Sequence, residues 1–93
     1  MKIVFKDTFL NRLANQVDFI AEDSPNRAKN FKNQLLKEIK KIKAFPYKHR
    51  QSIYFEDENI RDLIYKGYTV VYRIKDDEIG VFGFIKHQKN PTD

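Results

Sequence analysis

Ile60-Arg61-Asp62-Leu63-Ile64-Tyr65, Lys66-Gly67, Tyr68-Thr69-Val70-Val71-Tyr72-Arg73-Ile74, Lys75-Asp76-Asp77 and Glu78-Ile79-Gly80-Val81-Phe82-Gly83-Phe84-Ile85 is the stretch that decides the fold. β-Branched and aromatic residues crowd three segments, 60–65, 68–74 and 78–85, with turn-forming residues between them. Such short links cannot carry a parallel crossover, which takes about a dozen residues or more, so the segments predict a three-stranded antiparallel meander. The pair Gly80 and Gly83 lies inside a strand pattern, without a following helix or a phosphate-binding lysine motif. It therefore reads as a bulge or a close backbone approach rather than a glycine loop.

Upstream the apolar period changes from two to that of a helix. Residues 2–6, with Ile3, Val4 and Phe5, read as a short strand that ends at Asp7-Thr8, either of which can cap a following helix. Over 9–22, Leu10, Leu13, Val17, Ile20 and Ala21 form one apolar stripe. Ser24-Pro25 then starts a second helix: the Ser24 hydroxyl can accept an orphan backbone N–H, and Pro25 fills a first-turn position that needs no donor. Ala28, Phe31, Leu35, Ile39 and Ile42 carry the period on to Phe45, where Pro46 stops it. The expected architecture is α+β over residues 1–93, one domain. An N-terminal strand leads into an antiparallel helical hairpin, which packs on one face of a single sheet containing the meander.

Composition narrows the function classes. With 93 residues the chain has a thin stability margin, offset by eight phenylalanines and five tyrosines whose large side chains build a core from few positions. The absence of cysteine excludes disulfides and thiolate zinc sites and suits a reducing cytoplasm. The opening apolar run is too short for a signal peptide, and no segment reaches the ~20 apolar residues of a membrane span, so no membrane partner is expected. The net charge of +5 is unevenly spread. Between Arg27 and Arg50 stand nine basic residues and a single acid, Glu38, before the sign reverses at Glu56, Asp57, Glu58 and Asp62.

Most catalytic motifs fail on inspection. His49 and His87 lack an acidic partner at metal-ligand spacing, so neither a metal nor another cofactor is expected. Ser52 has no nucleophile-elbow glycines, and Glu56-Asp57-Glu58 reads as a solvated turn. A cationic group is more suggestive: Lys48, His49 and Arg50 after the helices, Arg61 and Arg73 on neighbouring strands, and Lys86-His87 at the end of the last. Strands lie about 4.8 Å apart, so Arg61 and Arg73 are expected to meet around a phosphate if they share a face.

The order of these residues resembles a known family. Ile20-Ala21-Glu22-Asp23-Ser24-Pro25, then Ala28, Phe31, Leu35 and Ile39, then Phe45-Pro46 and Arg50, is similar to the helical hairpin of ParE-like toxins. Arg61-Asp62-Leu63, Gly67-Tyr68 and Val71-Tyr72-Arg73-Ile74 resemble the strands of the wider RelE/ParE superfamily, and Lys86-His87 its basic ending. The resemblance implies the toxin of a type II toxin–antitoxin pair, held in check by an antitoxin whose partly disordered segment wraps it. A groove between sheet and hairpin is the expected seat for an apolar antitoxin helix or an added strand.

Two targets follow from that resemblance, because RelE-like members cut messenger RNA in the ribosome and ParE-like members poison DNA gyrase. An RNA-cleaving member needs an acid, a base and cations around one phosphate. Here His87 would be the acid, Arg61 and Arg73 the clamps, and His49 or Glu56 the base. Lys48, Arg50, Lys86 and Lys89 are the candidate contacts to nucleic acid or a protein target. Gln88 stands where several RNA-cleaving relatives carry an aromatic residue, and Thr69 where they often carry arginine, so the gyrase branch is favoured. A plain nucleic-acid-binding module, with steeply salt-dependent affinity, is the third reading.

Overall fold

The structure, a computed structural model, describes residues 1–87. Strand β1 (Lys2–Phe5) leads into helices α1 (Asp7–Asp23) and α2 (Pro25–Lys40), with a 3₁₀ turn over Lys41–Lys43. The short strand β2 (Arg50–Gln51) and the three long strands β3 (Ile60–Tyr65), β4 (Tyr68–Lys75) and β5 (Glu78–Lys86) follow. They form one five-stranded sheet in the order β1-β5-β4-β3-β2. The β1–β5 pair is parallel and the other pairs are antiparallel; the helical hairpin carries the chain from β1 at one edge of the sheet to β2 at the other, and the meander returns to pair β5 with β1. The α+β class, the helical hairpin and the meander are as expected.

Local chemistry explains the joints. Ser24 Oγ accepts from Arg27 N at 3.2 Å and Pro25 opens α2, so one residue both ends the first helix and caps the second. Both long hairpins turn on two residues with positive φ: Lys66 and Gly67, at 44° and 82°, then Asp76 and Asp77, at 50° and 62°. Two such residues match the right-handed twist of the flanking strands. Opposite Val71 and Tyr72 the register shifts so that Phe82 is an extra residue, the bulge anticipated from the glycines. A Cβ on Gly83 would lie 2.9 Å from Val71 Cβ, which is why glycine stands there.

Three expectations need correction. Neither Asp7 nor Thr8 caps α1, which starts two residues earlier than the stripe suggested; Lys6 is the cap residue, and Thr8 Oγ1 instead donates to Phe82 O at 2.8 Å. The earlier start makes Phe9, not Leu10, the first buried position, and Phe9, Leu13 and Val17 then share one side while Leu10 is exposed. Lastly, α2 stops at Lys40 rather than at Phe45, and the 3₁₀ turn carries Ile42 into the core.

Leu35, Ile39 and Ile42 from α2 and its 3₁₀ turn, with Phe9 and Leu13 from α1, pack on Leu63, Val70, Tyr72, Ile79 and Val81 of the sheet. Each full burial of such a side chain contributes about 1.5–3 kcal/mol. Aromatic rings run through this layer: Phe5 stacks on Phe9 at 5.7 Å, Phe9 meets Phe84 edge-on, Phe84 stacks on Tyr68, and Tyr68 touches Phe31. Among the described residues the opposite face of the sheet carries no helix, and the segment between β2 and β3 folds over part of it, with Phe55 against Phe82 at 5.6 Å. No helix among the described residues is long and apolar enough to cross a membrane.

Candidate functional site

Apart from Arg73, the cationic residues singled out by the sequence fall into three places. The first lies where the chain leaves the helices. Tyr72 Oη donates to Pro46 O at 2.6 Å, and the His49 ring stands edge-on to Tyr72 at 6.2 Å. Arg61 Nε donates to Glu58 O at 2.8 Å, Nη1 donates to His49 O at 3.2 Å, and the guanidinium sits 4.9 Å above the Tyr47 ring. Arg61 thus staples 47–49 to the loop before β3. Burial holds the His49 pKa below its ordinary value, with Lys48 adding to the effect and Glu38 opposing it, so its ring is neutral at pH 7. Burial likewise raises the Tyr72 pKa, which keeps its hydroxyl a donor. Lys48 is exposed beside the apolar knuckle of Phe45 and Tyr47.

The second place is the edge formed by β2. Arg50 Nε and Nη2 donate to Asp62 Oδ2 at 3.3 and 3.2 Å, and Ile53 N donates to the same oxygen at 3.1 Å. Asp62 is 1% exposed and its Oδ1 has no partner among the described residues. This ion pair is what recruits β2 to the sheet, and it anchors the loop that follows. Glu56 is exposed within that loop, and Asp57 Oδ1 accepts from Asn59 N at 2.8 Å, the solvated turn expected of Glu56-Asp57-Glu58.

The third place is the end of β5 beside the Lys66-Gly67 turn. His87 N donates to Gly67 O at 2.8 Å, and His87 Nε2 and Thr69 Oγ1 lie 2.6 Å apart. Lys86 points to the helix side, its ammonium 4.9 Å from the Phe19 ring centre. Phe19, Ile20, Phe31, Tyr65 and Tyr68 line a trough of ≈ 480 Å³ there, between the helical hairpin and the sheet. Gln16 Nε2 donates to Tyr68 Oη at 2.8 Å on its wall, and burial raises the Tyr68 pKa.

The register separates the two arginines expected to share a face. Arg61 pairs with Tyr72 and faces the helices, whereas Arg73 pairs with Ile60 and faces away. The two-residue Lys66-Gly67 turn dictates this parity, because Tyr65 must oppose Tyr68 and every pair follows from that one. His87, through Thr69, shares the open face with Arg73, but the two lie four residues apart along β4, about 13 Å. Lys89 lies outside the described residues, as does Gln88. What these positions offer is a set of separate contact points on a rigid sheet. What the alternation had not suggested is that Lys75 and Lys6 lie near Arg73, although Lys75 is two residues from Arg73 and so on its face.

A small α+β domain with a helical hairpin on one face of its sheet and basic residues dispersed round the rim is the class these features define. Residues 3–91 match the family described as the ParE toxin of type II toxin-antitoxin system, parDE, and the chain belongs to that family. No curated relative matches the chain.

Proposed function

We propose that this protein arrests bacterial growth in the cytoplasm by binding and poisoning DNA gyrase, and that a cognate antitoxin neutralises it. The observation that carries this reading is the dispersal of the acid–base and cationic groups. Arg61 is committed to two backbone carbonyls, Arg50 to Asp62, and His87 to Thr69, while Arg73 lies on the open face about 13 Å along β4 from Thr69, away from both histidines. Hydrolysis of RNA calls for these groups round one phosphate; recognition of a protein target calls only for a rigid, charged rim. Lys48 and Lys86 are then surface contacts to the target, with Arg50 a support for the rim, and Lys89 is a further proposed contact. For the antitoxin, the trough lined by Phe19, Phe31 and Tyr65 has the apolar floor and basic edge that an amphipathic acidic helix would fill.

The test is expression in a bacterium, with growth, transcript integrity and plasmid supercoiling followed together. The expected result is growth arrest with lost supercoiling and intact transcripts, relieved by co-expressing the product of the neighbouring reading frame. Cut transcripts with normal supercoiling would move the protein to the ribosome and messenger RNA. In that case His87→Gln should lose about 10²–10⁴ of the cleavage rate, the usual worth of a positioned general acid.

A further inference from the structure

The open face carries a second feature at the Asp76-Asp77 end of the sheet. Arg73 and Lys75 project from the same side of β4, about 7 Å apart along the strand. Their partners across β5 are Gly80 and Glu78, and Val4 of β1 flanks Gly80 on its other side. Because Gly80 has no side chain, the floor between the strands stays open; a Cβ there would lie 3.3 Å from Lys6 Cε. Lys6 arches over that floor and pairs with Glu78 at 3.7 Å. Phe55 and Phe82, edge to face, make the end wall, and Phe55 keeps 43% of its surface exposed.

The result is a cleft of ≈ 410 Å³ lined by three cations, one carboxylate and two aromatic rings. That size falls in the range of small-ligand sites, roughly 300–1,000 Å³. Among the described residues neither Arg73 nor Lys75 has an ion-pair partner, so the cleft is short of negative charge. Paired cations beside an exposed aromatic ring are how proteins hold a phosphate and stack its base. Glu78 supplies an acceptor for a sugar hydroxyl or an exocyclic amine, a group that an acidic peptide side chain lacks. We propose that this cleft binds a nucleoside phosphate, either as a free nucleotide or as one unit of a single-stranded nucleic acid. The site is independent of the rim assigned to gyrase and of the antitoxin trough.

Fluorescence anisotropy of a labelled oligothymidylate, titrated with the full-length protein at several salt concentrations, tests it. Arg73→Gln/Lys75→Gln should lower the slope of log affinity against log salt by about 1.4, two phosphate contacts at about 0.7 each. Phe55→Ala should weaken binding at least about fivefold, the lower end of stacking losses. Lys29→Gln/Lys32→Gln, which removes the same charge from the exposed side of α2, should change neither, with native circular dichroism in every variant. Competition by AMP and by unlabelled DNA and RNA strands distinguishes a nucleotide site from a strand site. Equal weakening by the two lysine-containing pairs, or equal competition by inorganic phosphate and AMP, would overturn the proposal. So would binding of an acidic apolar peptide, dependent on Arg73 and Lys75, in place of the oligonucleotide. None of these results bears on gyrase, whose inhibition is read by supercoiling.

Discussion

On the helix side of the sheet, Leu63, Val70, Tyr72, Ile79 and Val81 meet α1 and α2 as an apolar layer, whereas on the other side Asp62, Thr69, Arg73 and Lys75 alternate with Val71 beneath one loop. The same three strands supply both, because successive residues point to opposite faces. Thr69 and Asp62 are nonetheless fully buried on the open side, each with a side-chain partner, His87 and Arg50. The difference teaches a division of labour: packing against the helices holds the fold, and polar pairs on the open side position loops while Arg73 and Lys75 have no ion-pair partner among the described residues.

That contrast is sharpened first in the core. Leu35→Ala on α2 should cost about 2–5 kcal/mol by loss of transfer energy and an unfilled cavity. Phe55→Ala on the open side, half exposed, should cost less than half as much; urea unfolding compares them, and equal losses would erase the distinction between the faces.

Next comes the ion pair that recruits β2. Arg50→Ala strips the buried Asp62 carboxylate of its charged donor and should cost roughly 1–3 kcal/mol. The loss stays below the ~3–5 kcal/mol of a fully buried pair because Arg50 is half exposed to solvent. In an Asp62→Asn background the same change should cost little, since no buried charge remains to be stranded. A full loss there would mean that Arg50 stabilises through packing alone.

The smallest expected effect is a pH dependence. The folded pKa of His49 lies below its unfolded value of 6.5, so the unfolded chain takes up the proton first as pH falls. Stability from this residue is complete above pH 6.5 and declines as pH drops from there toward the folded pKa. His49→Gln should flatten that part of the stability profile; an unchanged slope between pH 7 and pH 5 would assign the dependence to other groups.

The meander and the helical hairpin are legible in the sequence because their signals are local: Lys66-Gly67 sets one hairpin, and Ser24-Pro25 sets the helix start. The same Lys66-Gly67 turn also contains the parity that puts Arg61 and Arg73 on opposite faces, a signal available from counting alone. Strand β2 is not legible, since two residues hold their place through a contact between Arg50 and Asp62, distant in the chain. Nor is the parallel pairing of β1, decided by how the hairpin packs. The cleft around Gly80 joins Lys6 at the start of α1 with residues from β4, β5 and the 52–59 loop, so only the three-dimensional arrangement brings Lys6 and Phe55 to Arg73.

Purified gyrase, relaxed plasmid and ATP, with the protein added in increasing amounts, give the most direct test of the central claim. Loss of supercoiling with accumulation of cleaved plasmid, unaffected by His87→Gln and accompanied by no cleavage of added messenger RNA on ribosomes, is the expected result. Undisturbed supercoiling together with ribosome-dependent RNA cleavage that His87→Gln abolishes would contradict it.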